Sequence, residues 1–370
     1  MNNREYYIYT GSKEYFSSQL PEFSESEYTK SFLEIIKESD EYKTRGIPFN
    51  NTADNLILYN DNYNGITEQA HDRIGALIEE VTNDDSKIYI HNPPITLKNY
   101  LKSLEFNLGV HIDYFCQKYE FDRDEELFQS NMKNIEKNII GQNNAIIEVS
   151  KSMWYLTKVR RKKPYVIMLY GNSSLGKTEL VREISTHFYK GNFFERHLSM
   201  FKNETYSDYF FGDKPNRKTL GYDLLERKSN LIFLDELDKC PEHFYSAFYT
   251  FFDNTIFKDA SYEVDVSDTL IILTSNYHDE KEMITKLGLP IYYRIDKFIP
   301  FTDFNSEIIY QVTKKEINDK KEEYKDFLTE EEVYREVSTR INSTGENART
   351  IKQKVQQSIE QLLFSKINTH

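Results

Sequence analysis

The chain has 370 residues, with 47 Lys plus Arg against 60 Asp plus Glu and a net charge of −13; at roughly 150 residues per domain this length predicts two or three domains. An acidic chain lacks the basic field with which general nucleic-acid binders displace counterions from phosphates. Its two cysteines, Cys116 and Cys240, exclude a disulfide framework and a multi-cysteine zinc or iron–sulfur site. The charge is uneven: residues 1–130 hold 12 basic and 24 acidic side chains, and residues 131–370 hold 35 and 36. The first third therefore carries −12 and the remainder −1. The N-terminal MNNREYYIYTGSKEYF has no apolar h-region, and no run of apolar residues is long enough to span a bilayer. These features predict a soluble, cytoplasmic protein with reduced thiols and no membrane partner.

In chain order, residues 1–45 are charged and aromatic, with Phe32, Leu33 and Ile36 on a short helical face. Leu56–Tyr59 (LILY) reads as a strand, followed by the turn NDNYNG. Ala70, Ile74, Leu77, Ile78 and Val81 then recur at helical spacing. KIYIH is a second strand, stopped by Pro93 and Pro94, and ITLKNYLKSL a further helix. Residues 54–104 thus predict a β-α-β-α unit within a small α/β or mixed domain spanning 1–130. The acidic run DRDEE, residues 122–126, marks its boundary as a solvated junction. A helix follows, then NIIGQ, then a helix with Ile146, Val149, Met153 and Leu156 on one face. The one dense basic run, KVRRKK (158–163), precedes a buried strand and reads as a solvated helix end.

Pro164–Tyr170 (PYVIMLY) has the near-continuous apolar character of a parallel strand buried on both faces. It runs into Gly171-Asn-Ser173-Ser174-Leu175-Gly176-Lys177-Thr178-Glu179 and then a helical pattern, so GxxxxGKT sits in its strand-to-helix context. Glycines there let backbone N–H groups turn inward as an anion nest. Lys177 can reach the β- and γ-phosphates, and Thr178 can offer a hydroxyl to Mg²⁺. Further on, Leu231-Ile-Phe-Leu234 ends in Asp235 and Glu236. In that pair Asp235 suits the Mg²⁺ shell and Glu236 suits polarising the attacking water. Together the two motifs predict an ATPase using ATP and Mg²⁺, on an α/β P-loop fold.

With both motifs placed, residues 131–370 resemble the Clp/HSP100 clade of AAA+ ATPases. NIIGQNNAI resembles the clade's hhGQ segment, which implies that Ile140 and Gly141 pack on adenine. GNSSLGKTEL resembles its Walker A, and LSMFKNETYSDYFFG its DMSEY…LIG stretch. LIFLDELDKCPEHFYSAFYTFFDN is similar to its Walker B and following helix. TLIILTSNYHDE resembles the sensor-1 strand, which puts the polar sensor at Asn276. PIYYRIDKFIPF resembles FxNRIDEhhxF, implying an arginine finger at Arg294, although Tyr293 stands where the clade has Asn. GENARTIKQKVQQSIE resembles the sensor-2 segment, implying that role for Arg349. The resemblance implies a large ATPase subdomain over 131–304, a small helical lid over 305–370, and a homo-oligomer, in this clade a hexamer.

The sequence departs from the clade at the axial loop. Gly212 is followed by DKPNRKTL and then Gly221-Tyr222-Asp223, so the loop lacks the aromatic of the clade's GYVG and carries Lys214, Arg217 and Lys218 instead. Tyr222 reads as part of the next helix. No Gly-Phe dipeptide of the protease-docking kind occurs, nor a four-cysteine zinc module. Three functions follow: a remodelling ATPase whose residues 1–130 select a protein client; an ATP-controlled oligomeric switch or scaffold that does not thread polypeptide; and, less favoured, a nucleic-acid-associated ATPase using the basic loop.

Overall fold

The computed structural model describes residues 3–119, 123–202, 206–212 and 217–367. Asp122 of the acidic run, residues 203–205 and Lys214 of the axial loop lie outside the described residues. Strands are labelled in chain order. Glu5–Thr10 (β1), Thr29–Ser31 (β2), Ala53–Leu58 (β3), Thr82–His91 (β4) and Ile112–Cys116 (β5) form one sheet, in the order β2-β3-β4-β1-β5. Every adjacent pair in it is parallel.

This N-terminal sheet is larger than the β-α-β-α unit expected from residues 54–104. The segment before residue 45, read as charged with one helical face, contributes β1 and β2 as well as the helix Phe32–Thr44. The reason lies in the alternation within EYYIYT: Tyr6 and Ile8 face one apolar cluster, while Tyr9 faces another. Both faces being aromatic or aliphatic, the run carries no polar stripe to mark it as a half-buried strand. The single helix expected through Ala70 and Val81 is two, Glu68–Asp72 and Ile74–Glu80. Helix Lys13–Gln19 covers one face of the sheet through Phe16, packed with Tyr9, Ile57 and Tyr89. Phe32, Ile35, Ile78, Leu97 and Leu101 cover the other.

The second sheet contains Tyr165–Tyr170 (β6), Phe194–His197 (β7), Leu231–Asp235 (β8), Leu270–Thr274 (β11) and Lys297–Pro300 (β12), in the order β12-β6-β11-β8-β7 and parallel throughout. The hairpin Ile256–Lys258 (β9) and Glu263–Asp265 (β10) stands apart as an antiparallel pair. Successive residues of the central strands point into opposite cores. Ile167, Leu169, Phe233 and Ile272 meet Ile146, Val149, Leu180 and Ile184 on one side. Val166, Met168, Ile232 and Leu273 meet Phe244, Phe248 and Phe252 on the other. That double burial is why these strands read as unbroken apolar runs. Four helices follow β12, Ser306–Asp319, Lys321–Tyr324, Glu330–Ser338 and Ala348–Ile367. Their buried Ile309, Val333, Ile351 and Val355 join the same apolar cluster as Ile139 and Leu175. Among the described residues no helix is long and apolar enough to cross a membrane.

Candidate functional site

The carboxyl ends of β6, β8 and β11 converge, which is where parallel α/β sheets place ligand loops. After β6 the chain turns through Gly171 (φ 127°), Ser174 (φ 62°) and Gly176 (φ 100°) into the helix Lys177–Phe188. Glycine is required at 171 on two counts: its φ is left-handed, and a Cβ there would lie 2.4 Å from the carbonyl oxygen of Phe301. Leu175 is buried under the turn, Ser173 and Glu179 face solvent, and Thr178 is half-buried. Lys177 is 7% exposed. Its Nζ donates to the carbonyls of Gly171 (2.6 Å) and Asn172 (2.7 Å) and reaches Asn276 Oδ1 at 3.5 Å. Burial lowers the Lys177 amine to about 8, against the pull of Asp238 and Asp235. A buried cation whose bonded partners are neutral oxygens, at the mouth of a glycine turn, fits a polyphosphate.

At the end of β8, Asp235 lies beside β11 and β7. Thr274 donates its hydroxyl to Asp235 Oδ1, and His197 Nδ1 stands 3.3 Å from Asp235 Oδ2. Glu236 occupies left-handed backbone space (φ 59°, ψ 49°), a conformation that costs a non-glycine residue on the order of 1–3 kcal/mol. Its N–H is held by Thr274 Oγ1 at 3.0 Å. Strain at this residue turns the chain sharply after β8. Asn276 is fixed by Asp238, which accepts from its backbone N–H (3.2 Å) and its Nδ2 (3.3 Å). The Asn276 amide oxygen is therefore the end left facing Lys177.

On the other flank, Gly141 (φ 81°) sits so close to the helix Ser306–Asp319 that a Cβ would meet Ile308 Cγ2 at 2.6 Å, and Ile140 is half-buried beside it. Gln142 is buried and pairs in both directions with the backbone of Thr302: its Nε2 donates to the carbonyl at 2.9 Å and its Oε1 accepts from the N–H at 3.1 Å. The helix Ala348–Ile367 begins against the phosphate turn, since Ala348 N–H donates to Ser174 O at 3.0 Å. Exposed Arg349 follows directly. Arg294 stands elsewhere: it pairs with Asp253 (2.7 Å), donates to Pro290 O (2.5 Å) and lies over the Tyr249 ring.

The structure thus brings together Gly171 to Glu179, Asp235, Glu236 and Asn276, with Ile140, Gly141 and Arg349 around them, and holds Arg294 in a separate cluster. Gln142, Thr274, Asp238 and His197, which the sequence reading did not single out, hold the others in place. Thr274 had a signal, a polar residue closing the apolar run LIIL; Asp238 and His197 had none, because their partners lie on other strands.

A family model described as AAA domain (Cdc48 subfamily) matches residues 160–363, more than half of the chain. The chain belongs to this family. As an AAA protein it is a nucleotide-binding ATPase, and its relatives are of Clp type. It is 26% identical to the chaperone protein ClpB of Yersinia enterocolitica over 160 residues, 40% of this chain and 18% of that protein. It is 25% identical to the mitochondrial disaggregase of Rattus norvegicus over 162 residues, 39% of this chain and 23% of that protein. It is also 28% identical to the AAA+ ATPase ClpV1 of Pseudomonas aeruginosa over 159 residues, 39% of this chain and 17% of that protein. The AAA chain therefore spans about a fifth of the length of these relatives.

Proposed function

We propose that the chain binds ATP with Mg²⁺ at this site, hydrolyses it as a homo-oligomer, and uses the cycle to remodel a protein client or complex selected by residues 1–130. The observation that carries this reading is the meeting of Lys177, Asp235, Glu236 and Asn276 at one sheet edge. Backbone N–H groups of the turn 171–178 would cradle the phosphates, with Lys177 on the β- and γ-groups. Thr178 and Asp235 are the residues that would hold Mg²⁺, which would supply charge neutralisation at the phosphates. Asn276 orients the lytic water, and Glu236 accepts its proton. Ile140 and Gly141 flank the adenine. Arg349, at the start of the lid helix that touches Ser174, responds to the γ-phosphate from within the chain. Arg294 acts on a neighbouring subunit's site, once assembly draws it from Asp253.

A second reading, an ATP-controlled switch or scaffold that does not thread polypeptide, is favoured by one observation. Tyr222 is buried in the helix Leu220–Leu225, so it cannot serve as an axial paddle. The nucleic-acid reading has less support, because Arg217 pairs with Asp208 (2.5 Å) and Lys218 lies 3.9 Å from Asp61. Sedimentation of Glu236→Gln with ATP and Mg²⁺ tests the assembly. The reading expects a discrete oligomer, a hexamer of the 44.1 kDa chain, that dissociates when ATP is withdrawn. A monomer at every nucleotide condition contradicts it.

A further inference from the structure

The carboxyl edge of the N-terminal sheet gathers polar side chains that the ATPase chemistry does not use. Asn60, His91 and Asn92 are each at most 1% exposed there. Burying such groups is costly unless each finds a partner, and their common partner comes from the other half of the molecule. Glu226, just past the helix Leu220–Leu225, reaches into this crevice. Its Oε1 accepts from Asn60 Nδ2 (2.8 Å) and Asn92 Nδ2 (3.2 Å) and lies 3.6 Å from His91 Nε2. Its Oε2 accepts from the backbone N–H of Lys13 at 2.8 Å.

The crevice is built around that carboxylate. Asn92 is held at a positive φ of 46°, with its Oδ1 accepting from Gly11 N–H and its Nδ2 directed at both Gly11 O and Glu226. His91 stacks on Phe16 at 4.8 Å and accepts the Asn60 N–H through Nδ1. Neighbouring contacts draw on the same short stretch: Tyr222 donates its hydroxyl to Asp61, Lys228 pairs with Glu14 (2.7 Å), and Tyr119 donates to Arg227 O (3.0 Å). A further point of contact is Ile95 N–H to Ser261 O at 2.8 Å.

Lys98 also lies 3.5 Å from Glu263 and Lys218 3.9 Å from Asp61 across the join. Among the described residues no buried apolar cluster includes side chains from both sides, since two clusters lie wholly within residues 6–112 and two wholly within residues 128–359. Beside Glu226 the two parts are separated by a cleft of about 990 Å³, bordered by Gly11, Gln117, Arg227 and Asp265. Interfaces of this polar, gapped kind permit relative motion of domains, whereas a dry apolar seam would not. The Asn60 amide oxygen, buried and without a partner, shows that even the centre of the contact is not fully satisfied.

We propose that the carboxyl edge of the N-terminal sheet is a docking site for the segment 218–228 of the chain's own ATPase module, that Glu226 is the residue it selects, and that this latch opens without unfolding either part. The latch gives the selecting role of residues 1–130, on which this inference rests, a physical link to ATPase. Three residues after Lys228 begins β8, the strand that ends in Asp235, with Glu236 next to it.

Glu226→Ala and the isosteric Glu226→Gln test it by hydrogen exchange and small-angle scattering on the full chain. In Glu226→Ala, the amides of Gly11 to Lys13, Asn60 to Asn64 and His91 to Asn92 should exchange at least tenfold faster and the radius of gyration should rise. Protection in β6, β8 and β11 should stay unchanged, and Glu226→Gln should move in the same direction by less. Unaltered exchange and size in both variants overturn the latch, because other contacts would then hold the parts together. Loss of protection in both sheets at once also overturns it, because the two parts would then fold as one unit. Neither readout needs ATP turnover, so an inactive ATPase and a failed latch give separate results.

Discussion

Thr274 ties together the two residues that the proposed chemistry depends on, through the Asp235 carboxylate and the Glu236 backbone. One hydroxyl donates to Asp235 and accepts the N–H of Glu236, which sits in strained left-handed backbone. Thr274→Val keeps the β-branched shape that a central strand at 2% exposure needs. It removes both bonds and leaves the Glu236 N–H unpaired, a loss of about 1–3 kcal/mol. If half of that is felt where the water is activated, turnover falls by roughly two- to tenfold, and more Mg²⁺ is needed for half-maximal rate. Steady-state assays across Mg²⁺ concentrations check this; a rate and Mg²⁺ dependence equal to the parent chain's would remove Thr274 from the account. The phosphate turn and the Asp-Glu pair were legible because local sequence suffices for them: strand, glycine turn and helix are contiguous. Thr274 shows in the sequence only as a polar residue closing LIIL and Asp238 not at all, because their bonds to Asp235, Glu236 and Asn276 form only once the ends of β8 and β11 lie side by side.

At the scale of elements, the ATPase strands were readable and the N-terminal ones only partly so. β6, β8 and β11 lie in the middle of a sheet buried on both faces, which leaves an unmistakable apolar run. β1 is aromatic or aliphatic on both faces, and β5 is an edge strand with Tyr114 and Phe115 exposed, so neither carries that signature. The edge formed by β1, β3 and β4 has its own electrostatics. Burial pulls His91 below the usual histidine value, opposed by Glu226 and Asp61, while Lys13 adds to the lowering. A depressed folded-state value means that the folded chain takes up the proton less readily than the unfolded one. The contribution of His91 to stability is therefore present above about pH 6.5 and is lost as pH falls through its folded value. NMR titration of the imidazole in the parent chain should give a midpoint below 6.5. A midpoint at or above 6.5 would mean that the ring is not buried beside Glu226 as described.

For the whole molecule, the charge of −13 resolves into an acidic N-terminal part and a nearly neutral ATPase. Within the dense basic run at 158–163, Arg160 pairs with Asp268, Arg161 with Asp296 and Lys163 with Asp253. Asp253 also holds Arg294, so the residue proposed to complete a neighbour's site is stored in an internal ion pair in the single chain. That storage suits an enzyme that turns over slowly until it assembles. The central claim is nevertheless local, that water attack on bound ATP depends on Glu236. The most direct measurement is ATP turnover of Glu236→Gln beside its nucleotide affinity, under the same conditions as the parent chain. Affinity should stay within a few-fold of the parent's while turnover falls at least a hundredfold, a general-base contribution of the usual size. Turnover equal to the parent's, with ATP bound, would contradict it.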